Sequence, residues 1–336
     1  MGDDPRRADD AAFQASDPGA ELSGNPVVDG ISQLLGFLGR ILQPQGATPG
    51  SPAVMNDDEL RDAMFRIAFT LLDGLGPVVR AGFEDDVSDG AAPSRPWPAT
   101  VAGFVRALFL ASFDAFGTTV VGLGMNASMA PTGNIRTIAD CHVSMRWVLD
   151  AEGDDERQSR VLAVTRAGID QARKSVAHSE QMVNGPEESA LIAYVQETLD
   201  ATEAELDELT KSKNLEIVRR PPSAVLFDRY LPDAYFMFAL LSNVGAHLGP
   251  SPFLFYGELE VNAAINWDYK GVQVERAFWI AQATKIELEN CELAASVCGW
   301  TGTEDLLRRI ADLLGPVAIE AEKRFIDRRD PGRVWI

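Results

Sequence analysis

A chain of 336 residues with 46% hydrophobic content has enough apolar material for one large core or two small ones. Its 50 acidic and 30 basic residues leave a formal net charge of -20. That balance argues against general affinity for nucleic acid or anionic membrane, because phosphate binding needs concentrated Lys and Arg. The main concentrations of basic residues are Arg219 and Arg220, Arg308 and Arg309, and Arg324, Arg328, Arg329 and Arg333 in the tail. Cys141, Cys291 and Cys298 are too few and too scattered for a disulfide framework or a zinc knuckle, so buried thiols are expected.

In chain order, residues 1–28 are rich in Asp, Ala, Gly and Ser and are expected to be disordered. Residues 30–43 repeat apolar groups at Ile31, Leu34, Leu35, Leu38, Ile41 and Leu42, one stripe of a short helix. At about three turns it is too short to stand alone and must dock, either on its own domain or on a partner or second copy. Residues 1–50 therefore read as a leader with a docking helix, and residues 53–336 as the main domain. The acidic start without an early apolar run carries no signal-peptide pattern. No stretch approaches the roughly 18–20 apolar residues of a membrane span, so a cytoplasmic protein is expected.

The main body opens at Asn56, Asp57, Asp58 and Glu59, acids that suit a first helical turn. Leu60, Met64, Ile67, Ala68, Leu71, Leu72 and Leu75 then repeat at helical spacing. Residues 83–98, with Gly90, Pro93, Pro96 and Pro98, read as a loop. A second helix is expected over 101–123, a turn over 126–133, and a third helix from there to about Asp150. Two polar amphipathic helices, 154–181 and 187–213, flank Asn184, Gly185 and Pro186 and should form an exposed hairpin. Pro221 and Pro222 break the chain. A helix from about Pro232 to His247 follows, then a short extended segment at 253–256. Long helices over 270–297 and 303–326 close the chain, the last with Thr301 or Thr303 as cap. About eight helices and no convincing strand alternation predict an all-α bundle.

Two of these helices carry polar groups that a core does not need. The first has Arg136, Asp140 and His142; the second has Tyr235, Ser242, Asn243 and His247. Ionisable groups inside apolar helices are costly unless paired, so they point to a shared polar network or a site. Arg136 and Asp140 are four apart and can pair on one face. Ile135, Ile138, His142, Met145 and Leu149 form the core stripe, which places His142 inside. His247 falls at a helix end, where a protonated imidazole is favoured.

The Arg136–Asp140 turn, followed later by Tyr235, Ser242, His247 and then Pro250 and Ser251, resembles an uncharacterised bacterial HEPN-like helical family. The resemblance covers about residues 100–260, with Asp140 where the family more often has Glu. It implies a helical fold and a pocket between the two polar helices. There Arg136 meets an anion or carboxylate, Asp140 orients it, His247 transfers protons, and Tyr235 and Ser242 donate hydrogen bonds. A small-molecule anion or a protein partner would occupy it.

Three other readings stand beside this one. Arg136 and His142, with five residues between, also resemble the Arg–His pair of HEPN ribonucleases, in which Arg stabilises phosphate and His is the general acid or base. Asp85, Asp86 and Asp89 resemble the Asp-Asp-x-x-Asp motif of class I terpene synthases, which holds magnesium on a diphosphate. The second metal motif of that class is missing, and no other cofactor is expected. Finally, the same bundle without chemistry would be an interaction module.

Overall fold

The computed structural model describes residues 55–88, 100–124, 129–180, 185–216, 218–232, 258–259, 265–266, 269–300 and 302–327. Eight helices run through them: α1 (Asp57–Ser88), α2 (Val101–Gly124), α3 (Met129–Leu149), α4 (Asp154–Glu180), α5 (Pro186–Ser212), α6 (Ser223–Tyr230), α7 (Tyr269–Cys298) and α8 (Glu304–Asp327). A two-residue antiparallel ladder pairs β1 (Glu258–Leu259) with β2 (Ile265–Asn266). The expected all-α bundle of about eight helices is the fold observed. The leader, its 30–43 helix and the 253–256 segment lie outside the described residues.

α7 is the central helix because buried side chains cover most of its circumference. Val274, Ala277, Trp279, Ile280, Ala281, Ala283, Ile286, Cys291 and Ala294 are all buried, and the exposed strip is confined to Lys285, Glu292 and Ser296 with Glu289 beside them. A helix that is apolar over most of its circumference must be covered over most of it. α1, α2, α3 and α8 cover it. α8 does so with a stripe at helical spacing, Leu307, Ile310, Leu314, Val317, Ala321 and Phe325. Phe325 stacks on Phe278 at 4.0 Å between ring centroids, and Trp279 meets it edge-on.

Helix ends explain where the elements stop. Asn56 and Glu59 form a reciprocal capping box: the Glu59 amide donates to Asn56 Oδ1 at 3.0 Å, and the Asn56 amide to Glu59 Oε2 at 2.8 Å. α7 ends at Gly299, whose φ of 68° lets the Trp300 amide donate back to the Ala295 carbonyl at 3.1 Å. That bond fixes Trp300, whose ring meets Phe109 of α2 edge-on at 5.0 Å. α5 ends in the same motif with Asn214 at φ 51°, and the Leu215 amide bonds the Thr210 carbonyl. Thr303 stands at the start of α8, where its carbonyl accepts from Leu307. Its buried hydroxyl makes no capping bond.

Four features differ from the sequence expectation. α1 runs on to Ser88, so 83–88 is helix rather than loop. Its internal Pro77 and the matching Pro316 of α8 are both exposed. On a solvent face the carbonyl that each proline leaves unbonded can take water, so neither helix breaks. α3 begins at Met129, so the last residues of the expected turn are its first turn, with Pro131 where no intrahelical donor is needed. A short helix, α6, follows Pro222, too brief for periodicity to reveal. α2, with mean hydropathy 1.5, is long and apolar enough by length and composition to count as a membrane-span candidate, which corrects the expectation that no stretch approaches one. It packs on α3 and α7, with Ser112 and Thr119 buried among its phenylalanines.

α4 and α5 form the expected hairpin. Leu162, Ile169, Leu206 and Leu215 seal its base. α4 also docks on α3, where the Arg160 guanidinium lies 5.4 Å over the Trp147 ring.

Candidate functional site

Two polar clusters lie on α3, on different sides of the helix. The outer one is the expected pair: Arg136 Nε donates to Asp140 Oδ2 at 3.4 Å, with both side chains about one-third exposed. Arg220, from the connector between α5 and α6, joins it. Arg220 Nη2 donates to Ser144 Oγ at 3.3 Å, one turn beyond Asp140. Its Nη1 lies 3.3 Å from Ser223 Oγ and 3.5 Å from the Pro221 carbonyl. Burial raises the Asp140 pKa, and the charges of Arg136 and Arg220 oppose that rise. Burial also lowers the Arg220 pKa, with Asp140 opposing. The Arg136 and Arg220 guanidiniums thus both act on the one carboxylate of Asp140. Asp140 Oδ1 is buried and accepts no hydrogen bond.

The inner cluster joins α3 to α7 and α2. His142, Glu287 and Asn290 are all fully buried. Asn290 Nδ2 donates to Glu287 Oε2 at 3.2 Å and to the Ile138 carbonyl at 3.4 Å. The amide oxygen of Asn290 therefore faces His142 Nδ1, at 2.9 Å, and must accept. This assigns the proton of a neutral imidazole to Nδ1. His142 Nε2 is then a bare acceptor 3.4 Å from the Glu289 carboxylate, a contact that becomes an ion pair only on protonation. Burial lowers the His142 pKa, with Glu289 and Asn290 acting against that and Arg146 with it.

Glu287 has no basic partner at its carboxyl. Burial pushes its pKa up to about 8, with the contacts to Ser112 and Asn290 offsetting part of the rise. The Ser112 hydroxyl donates to the Phe109 carbonyl at 3.0 Å. Oε1 of Glu287 receives no donor. The neighbouring thiols are held protonated: burial and the nearby Glu287 raise Cys141 to about 12 and push Cys291 well above its ordinary range. Neither is a nucleophile at neutral pH.

The structure therefore brings Arg136 and Asp140 together and separates both from His142. As the general acid or base of a ribonuclease His142 would have to reach a phosphodiester, but its ring is fully buried. Tyr235, Ser242 and His247 lie outside the described residues. Asp85 and Asp86 fall in the last turn of α1; their side chains, and Asp89 altogether, also lie outside them. Among the described residues no group of three or more His, Cys, Asp or Glu could hold a metal.

Sequence reasoning missed Arg220, Ser144, Glu287 and Asn290 as site members. Glu287 and Asn290 did leave a signal: they extend the apolar row Ile280, Ala283, Ile286 at helical spacing, a carboxyl and an amide on a core face. A groove of about 420 Å3 lies elsewhere, on the α4–α5 hairpin, lined by Arg173, Val176, Ala177, Gln196, Leu199 and Asp200. No family model, curated protein or solved structure matches the chain.

Proposed function

We propose that this is a cytoplasmic helical-bundle binding protein whose Arg136–Asp140–Arg220 cluster takes up a carboxylate or phosphate group. One observation carries the reading. Arg220 is half-buried, yet all its hydrogen-bond acceptors are neutral oxygens at 3.3–3.5 Å, and it shares its nearest carboxylate with Arg136. A guanidinium binds a planar or tetrahedral anion far better than scattered hydroxyls, because two parallel charge-assisted bonds form at once. Asp140 orients Arg136 and keeps a buried oxygen for a donor on the same ligand. The HEPN-like resemblance, with an acid one turn after an arginine, supports the same two residues. In this reading Tyr235, Ser242 and His247 supply further hydrogen bonds.

Calorimetric titration of the full chain with inorganic phosphate and with succinate tests this. At least one should bind, and Arg220→Gln should weaken it by about tenfold or more, the value of a lost charge-assisted bond. His247→Ala and Tyr235→Phe should weaken it as well if that segment takes part. Equal binding by wild type and Arg220→Gln, or no binding of either anion, would end the proposal.

A further inference from the structure

Independently of the anion site, α5 carries a binding surface along its outer side. α5 has eight acidic residues and one lysine. On the side towards α4 those acids are used: Arg166 pairs with Asp207, and Arg173 with Asp200 and Glu203. On the opposite flank no arginine or lysine of the described residues pairs with Glu197, Glu205 or Glu208. Oε2 of Glu205 is buried yet accepts no hydrogen bond.

The same flank is apolar where the acids are absent. At about 100° per residue, Leu191, Tyr194, Thr198, Glu205 and Glu208 fall within one stripe. Leu191 is 64% and Tyr194 66% exposed, among the most exposed large hydrophobic side chains described. Among the described residues the stripe is unpartnered, because α5 packs chiefly on α4, which takes its other side. From Leu191 to Glu208 it runs about 26 Å, the length of a second helix of about 17 residues laid alongside.

We propose that this stripe docks a cationic amphipathic helix of a partner protein. The partner's apolar face would cover Leu191 and Tyr194, and its Lys or Arg side chains would meet Glu197, Glu205 and Glu208. Charge selects this occupant over a second copy of the chain: two molecules of net charge -20 repel, and this flank is acidic on both. Helix-in-groove recognition of this kind is read through anchors at three- and four-residue spacing.

The test uses a fluorescein-labelled 18-residue peptide of leucine and lysine, with leucines at i, i+3, i+4 and i+7. A scrambled peptide of the same composition spreads the leucines round the helix. Anisotropy titrations with the full chain at moderate salt should show the amphipathic peptide binding at least about tenfold more tightly than the scrambled one. Leu191→Ser with Tyr194→Ser should abolish that difference. Glu208→Gln, at an exposed position, should weaken binding and flatten its salt dependence while leaving helicity and melting unchanged. Equal affinity for the two peptides, or affinity untouched by these variants, overturns the proposal. So does a concentration-dependent dimer of the wild type that the double variant loses, since a second copy would then cover the stripe.

Discussion

Replacing Glu287 by Gln should make the protein more stable, and only at neutral to alkaline pH. The side chain is fully buried and has no cationic partner, and burial pushes its pKa up to about 8 from an ordinary 4.5. The folded state therefore holds a proton that the unfolded state has released. Where the native state binds more protons, stability falls as pH rises. The contribution of Glu287 is intact below about pH 4.5, declines through the interval up to about pH 8, and is level above it. Three and a half pKa units correspond to a loss on the order of 5 kcal/mol. Glutamine mimics the neutral acid: it carries no charge, and its oxygen can accept from Asn290 as Oε2 of Glu287 does. Urea unfolding of both proteins at pH 5, 7 and 9 isolates the effect, because every other titrating group cancels in the difference. The variant should match wild type within about 1 kcal/mol at pH 5 and exceed it by several kcal/mol at pH 9. In urea the pH 9 difference is a midpoint shift of roughly 1–2 M for a slope near 3 kcal/mol/M. A stability difference that stays constant from pH 5 to 9 would refute the reasoning, since Glu287 would then carry the same charge when folded and unfolded.

Other outcomes follow from the same packing. His142 has a lowered pKa, so its contribution is present above about 6.5 and is lost as pH falls towards the folded value; nitrogen-resolved NMR should show a neutral Nδ1–H ring at pH 7, and an imidazolium there would contradict the assignment. Asn290→Ala strips partners from His142, Glu287 and the Ile138 carbonyl together and should cost about 2–4 kcal/mol in chemical unfolding. Gly299→Ala forces a side chain into the left-handed region at the end of α7 and should cost about 1 kcal/mol, whereas Gly153→Ala, where an added Cβ meets nothing, should cost less.

What could be read from the sequence was local. The Arg136–Asp140 pair follows from four-residue spacing, and the burial of His142 follows from its place in a stripe with Ile135, Ile138 and Met145. The central position of α7 was less plain, because Lys285, Glu289, Glu292 and Ser296 set a polar strip into an otherwise apolar segment. Partners across the bundle were not legible. Asn290 lies 148 residues from His142, and Arg220 76 from Ser144, and no periodicity links such distances. Punctuation residues misled in one place: Pro93, Pro96 and Pro98 drew the loop back to Phe83, while Gly76 and Pro77 sit inside α1 because that side faces solvent. The 233–247 polar segment, half of the expected pocket, lies outside the described residues, so the site stands on α3 and the Arg220 connector alone.

The most direct measurement of the anion-binding account is a crystal structure of the full chain grown with inorganic phosphate and again without it. The account predicts tetrahedral density within hydrogen-bond distance of both the Arg136 and Arg220 guanidiniums, present only with phosphate. An empty cluster at saturating phosphate, with Arg220 still on Ser144 and Ser223, would contradict it.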